Sequence, residues 1–207
     1  MDHRYGKVQW GPHGERKRTS ASNWRKPLQW AKSAHATGLR CRVFCASLAD
    51  VFDNQVPPSW RMDLFALIEN TPELDWLLLT KRPENIHKMV PLFWQGVMRN
   101  VWLGTTAEDQ DNFDRRYIEL ANVPAQIHFI SYEPAIGPLS VRESYPFPDW
   151  VICGGESGPN RRQMDERWAR NLRDECAERS IPFFMKQMTG KTPIPEDLMV
   201  REFPRTL

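Results

Sequence analysis

Six short runs of apolar, β-branched and aromatic residues recur along the chain, and they limit its fold more than any other feature. They lie at 42–46 (RVFCA), 75–80 (DWLLLT), 100–105 (NVWLGT), 127–131 (IHFIS), 149–154 (DWVICG) and 181–185 (IPFFM). Each is nearly continuous in its hydrophobicity, which is the signature of strands buried on both faces. The intervals between them carry helical periodicity. Trp60, Leu64, Leu67 and Ile68 follow i, i+4, i+7, i+8 behind Ser59 as a candidate cap, and Phe113, Tyr117, Leu120 and Ala121 repeat that spacing. Trp168, Leu172 and Cys176 form a third stripe with Asp165 placed to cap it, and Ile86, Met89 and Val90 a shorter one after Pro83. The proline-rich interval 134–148 has no period and reads as a long loop.

Strands alternating with helices predict a parallel sheet with right-handed crossovers. Both a doubly wound sheet and a partial (β/α) barrel satisfy that pattern. The strand ends favour the barrel, because every run finishes in polar residues: Ser47, Thr80-Lys81-Arg82, Thr105-Thr106, Ser131 to Glu133, Gly155-Glu156-Ser157 and Lys186-Gln187. Polar groups at every carboxyl end converge on one shared site at a barrel's top, whereas a doubly wound sheet concentrates them at one switch point. The fold expected is a partial (β/α) barrel of about six parallel strands over residues 42–207.

Residues 1–41 read differently. The first 42 residues carry a net charge of +8 and the remainder −6, for a total of +2. This basic arm holds Trp10, Trp24 and Trp30 but few aliphatic residues before Leu39, so it cannot build its own core and is expected to wrap the barrel. Its cations between residues 4 and 32, with their tryptophans, also suit nucleic acid. With 207 residues the chain needs neither disulfides nor a structural metal to fold, and its four cysteines read as reduced thiols. No apolar run nears the ~18 residues of a membrane span, and the first residues lack an export signal, so the expected compartment is the cytoplasm.

Chemistry concentrates at the strand ends. Glu133 and Glu156 follow two adjacent strands, and Lys81 and Lys186 arrive the same way. Carboxylates and ammonium groups at a partly dry barrel mouth can hold an amino-acid-like or nucleotide-like ligand, or act as acid and base. They can equally pair with one another and simply close the barrel top. Gly154-Gly-Glu-Ser-Gly158 permits close backbone approach to a ligand, and serves as well for a plain strand-to-helix turn. Cys41 and Cys45, four residues apart in one strand, lie about 13 Å apart, too far for one ion.

Seven ordered motifs carry a resemblance. They are residues 19–30 (TSASNWRKPLQW), 42–52 (RVFCASLADVF), 78–83 (LLTKRP), 102–105 (WLGT), 132–134 (YEP), 154–158 (GGESG) and 183–187 (FFMKQ), followed by the ending 191–204. Together they look like a phage and prophage protein family of unknown function that is similar to radical SAM enzymes. The resemblance implies a [4Fe–4S] cluster held upstream by Cys-x6-Cys-x2-Cys, S-adenosylmethionine as cofactor, and a partner protein encoded nearby. That cysteine motif is absent here, and His3-Arg-Tyr-Gly6 resembles the stretch that follows it. The expectation is therefore an N-terminally truncated barrel, short of its first strand and not ligating a cluster by itself. By the same resemblance Gly154, Gly155, Glu156, Ser47 and Thr105 would contact S-adenosylmethionine, while Glu133, Lys81 and Lys186 would face a substrate. A cluster-free nucleic-acid-binding protein acting through the basic arm is the alternative.

Overall fold

The structure, a computed structural model, describes residues 14–45, 49–94, 98–141 and 146–205. All six expected strands form: β1 (Cys41–Cys45), β2 (Leu74–Thr80), β3 (Val101–Thr106), β4 (Ile127–Tyr132), β5 (Trp150–Gly154) and β6 (Phe183–Gln187). Each pairs in parallel with its neighbour in sequence, giving the order β1-β2-β3-β4-β5-β6 without reversal. The last strand starts two residues later than its apolar run, because the Ile181 N–H is committed to the Cys176 carbonyl at a helix end.

The helices that separate the strands all bury their apolar stripes against the same face. α2 (Pro58–Glu69) contributes Leu64, Phe65 and Ile68, α4 (Gln110–Ala121) Phe113, Tyr117 and Leu120, and α5 (Glu166–Glu178) Ala169, Leu172 and Cys176. Between them α3 (Ile86–Met89) is a single turn that buries Ile86. Crossovers that stay on one side make the sheet curl, and the result is a half-barrel rather than a doubly wound sheet. Asp165 caps α5 by accepting from the Arg167 N–H, and Asp109 caps α4 in the same manner. Ser59 does not cap α2. That helix begins at Pro58 behind Pro57, so Ser59 lies one residue inside it.

The basic arm contains an unforeseen helix. α1 (Ala21–Thr37) is capped by Ser20, whose Oγ accepts from the Asn23 N–H, and it ends at Gly38 with a φ of 68°. Its buried stripe is Pro27, Ala31 and Ala34, packed on β1 and β2. Small side chains allow close approach but supply little hydrophobic signal, which hides the period. β1 is an edge of the sheet, and Cys41, Arg42 and Phe44 on it are exposed.

Period-two alternation sends the other half of the strand residues to the helix-free inner face, where Leu77, Trp102, Ile127, Phe129, Trp150 and Ile152 form a second cluster. Trp150 is its hub, edge-on to Trp102 at 5.8 Å and to Phe184 at 6.0 Å between ring centroids. Gly104 makes room for it: a Cβ there would overlap the Phe129 ring.

The chain's last segment seals this floor. It returns antiparallel along β6, where the Met185 N–H donates to the Val200 carbonyl (2.8 Å) and the Glu202 N–H to the Phe183 carbonyl (2.9 Å). Trp150 Nε1 donates to the Glu202 carbonyl at 2.9 Å, and the Phe203 ring packs tilted against Trp150 at 5.3 Å between centroids. From the opposite edge, the Arg42 guanidinium sits 4.0 Å above the Phe203 ring. The tail thus covers one sheet edge and plugs the amino-terminal end of the strands.

Candidate functional site

With the amino-terminal end sealed, the polar groups gather at the carboxyl end. β4 delivers Ser131 and Glu133. The Glu133 side chain is 17% exposed, and its Oε2 accepts from Ser131 Oγ (3.1 Å) and from Lys186 Nζ at the end of β6 (3.0 Å). Gly154, on the strand between them, is what lets this pair form: a Cβ there would stand 2.5 Å from Glu133 Oε1. Glycine at 154 therefore leaves the carboxylate lying on the β5 backbone.

A second cluster stands over β2 and β3. Lys81 Nζ donates to Glu108 Oε1, while Arg116 Nη1 donates to Glu108 Oε2 (2.8 Å) and to the Thr106 carbonyl (2.7 Å). Burial pushes the Glu108 carboxyl upward, but the Lys81 hydrogen bond and charge, with Arg116 behind them, outweigh it and hold the group below its ordinary value. Beside it, Asp50 accepts from Thr80 Oγ1 (2.8 Å), the Lys81 N–H (3.1 Å) and Arg82 Nη1 (3.2 Å). Asp53 takes a two-nitrogen contact from Arg16, and the buried Arg61 guanidinium donates to the carbonyls of Val51, Asp53 and Val56. This network ties the segment after β1 to the end of β2.

On the β5 side, Glu156 accepts from the N–H, Nε and Nη2 of Arg162 at 2.8 to 3.1 Å. Those bonds hold its carboxyl below the usual glutamate range. Gly155 is needed for packing, since a Cβ there would overlap the backbone nitrogen of Thr189.

Lys81 and Glu133 thus fall into separate ion clusters, each with its own counter-charge, while Glu133 and Lys186 meet directly. Thr105 is fully buried, and its hydroxyl donates to the Thr80 carbonyl at 2.9 Å. Thr106 shares the parity of Trp102 and Gly104 and stands opposite Ser131 in the register, on the inner face. Counting by twos from Trp102 finds Thr106 in the sequence; Asp50, Glu108, Arg61 and Arg162 carry no comparable signal, because their partners lie far along the chain or in loops. Ser47 lies outside the described residues.

Among the described residues, no group of three or more His, Cys, Asp or Glu side chains is placed to hold a metal ion. Cys41 and Cys45 share a strand, whereas Cys153 and Cys176 are buried in the helix-side core, where burial pushes the Cys176 thiol up to about 12 and the Cys153 thiol higher still. These four thiols do not fit an iron–sulfur cluster. Among the described residues no helix is long and apolar enough to cross a membrane.

The fold and its polar mouth define a six-stranded parallel half-barrel with a closed base. Residues 1–200 match the family described as a protein of unknown function (DUF5131), and the chain belongs to that family. No curated protein and no solved structure matches it.

Proposed function

We propose that the half-barrel mouth binds a small molecule carrying both an ammonium and a carboxylate, with S-adenosylmethionine as the leading candidate. The observation that supports this reading best is the Glu133–Lys186 pair, 3.0 Å apart on a bed of Ser131 and Gly154. A zwitterionic amino-acid group replaces such a pair charge for charge, its ammonium taking Glu133 and its carboxylate taking Lys186, so little desolvation cost is added on binding. The resemblance to radical SAM enzymes favours a sulfonium nucleoside over a free amino acid. S-adenosylmethionine, when bound, supplies an activated carbon–sulfur bond. Gly154 holds the carboxylate seat open, Glu156 and Thr106 offer hydrogen bonds to a ribose, and Lys81 faces a second reactant. Because the cysteines do not fit a cluster, no radical step is assigned to this chain.

Calorimetric titration of the whole chain with S-adenosylmethionine, S-adenosylhomocysteine and methionine tests the proposal. Saturable binding that falls at least tenfold in both Glu133→Gln and Lys186→Met, with unchanged circular dichroism, is the expected result. Absence of binding by the unmodified chain would sink it.

A second reading rests on α1. Arg25, Lys26 and Lys32 lie on it with no acidic residue, and Trp30 beside them is 42% exposed. Cations with an exposed ring suit single-stranded nucleic acid. Residues 4–13 of the same arm lie outside the described residues. Affinity that declines steeply with salt, and further on combined Arg25→Ala and Lys26→Ala replacement, is the expected outcome, and no binding at low salt overturns it.

A further inference from the structure

We propose that the groove between the end of β6 and the returning tail is a phosphate subsite, in which Lys191 and Lys186 face the anion and Arg161 flanks it across Gly190. This open groove of about 350 Å³ is lined by Lys186, Gln187, Lys191, Thr192, Ile194 and Met199. Two ammonium groups share this lining: that of Lys191, and that of Lys186, which also bonds Glu133 Oε2 at 3.0 Å from the mouth side. Its apolar wall, Ile194 and Met199, suits the organic part of a phosphate ester.

The turn that presents Lys191 is unusual in its backbone. Gly190 and Lys191 are both left-handed, with φ of 67° and 61°. Glycine adopts that conformation freely, but a lysine there is held against its preference, and such residues gather where a site dictates the geometry. The turn is tied down on both sides: the Gly190 N–H donates to the Glu156 carbonyl, and Thr189 Oγ1 accepts from the Met164 N–H. Gly190 is further required because a Cβ there would collide with the Arg161 guanidinium, which lies across the turn.

Arg161 also breaks a local rule. Arg162, Arg167, Arg170 and Arg173 in the following stretch each pair with a carboxylate within 3.2 Å. Arg161 and Lys191 have no such partner among the described residues. Arg161 lies against Gly190, the residue next to Lys191, and a dianion at this turn supplies the counter-charge that neither cation has among the described residues. The subsite stands apart from what fills the mouth, although Lys186 belongs to the walls of both.

Calorimetric or NMR titration of the whole chain with inorganic phosphate and with adenosine monophosphate, at low ionic strength, tests the subsite. Lys191→Asn removes the charge while keeping a residue that tolerates the left-handed backbone, and Lys191→Gly serves as its second variant. Saturable binding that weakens tenfold or more in either variant, and several-fold in Arg161→Ala, is expected, with Lys191→Arg retaining it. Tighter binding of the nucleotide points to an ester, and equal affinity to free phosphate. No saturable binding of either probe, or affinity within twofold of the original in Lys191→Asn and Lys191→Gly, overturns the proposal.

Discussion

The two ends of the inner face are built by one alternation along the same six strands, yet they hold opposite chemistry. At the amino-terminal end, Trp102, Phe129, Trp150, Phe184 and Phe203 close a floor of rings, and the exposed guanidinium groups of Arg42 and Arg201 lie over its rings. At the carboxyl end, Glu133, Lys186, Lys81, Glu108, Thr106 and Ser131 occupy equivalent positions or the residues just beyond. The floor is what apolar burial favours. Half-buried ion pairs contribute little net stability once desolvation is counted, so a rim built of them is poorly explained by stability alone. The contrast divides a structural base from a mouth available for binding.

Substitutions test that division in order of expected effect. Trp150→Ala removes the hub of the floor and should lower stability by about 3–5 kcal/mol, read as a shift in the denaturant midpoint at an unchanged slope. A loss below about 1 kcal/mol would mean that the base is not the structural half. Gly155→Ala comes next. Its Cβ meets backbone at Thr189 rather than a movable side chain, and about 1–3 kcal/mol of overpacking is expected in thermal unfolding.

Lys186→Met should change stability by less than about 1 kcal/mol, because its ammonium is half exposed, while removing ligand binding. A large destabilisation with binding intact would reverse the roles of the two ends. The smallest effect concerns acid. Glu108 titrates below its ordinary 4.5 in the folded chain, so its contribution is complete above that pH and disappears as pH falls through the lower folded value. Glu108→Gln should therefore flatten the acid limb of the stability profile below pH 4.5, by less than about 1 kcal/mol given the exposure of Lys81. An unaltered acid limb would place the acid-sensitive contacts elsewhere, Asp53 among them.

Much of the scaffold was legible from local pattern. The runs ending at Thr80, Ser131 and Gly154 are strands because near-continuous apolar residues suit a sheet covered on both faces, and the stripe of Phe113, Tyr117 and Leu120 is a helix because its period is 3.6. α1 escaped notice because Pro27, Ala31 and Ala34 bury too little apolar surface to mark a stripe. At the mouth, the sequence brought forward Glu133 and Lys186 as strand-end residues, but not that they choose each other while Lys81 chooses Glu108. Thr105 and Thr106 are adjacent in the chain and opposite in the sheet, a distinction that period two resolves only after the inner face is known.

Local periodicity by itself therefore determined the strands, four of the five helices described and the parallel order, since each depends on residues within a few positions of one another. Partner choice belonged to the tertiary structure. Arg42 meets Phe203, Glu133 meets Lys186, and Gly190 leaves room for Arg161 only once the sheet has curled and the tail has returned. Those contacts join residues far apart along the chain, and close-packed geometry, rather than any spacing in the sequence, selects which of several chemically equal partners comes within reach.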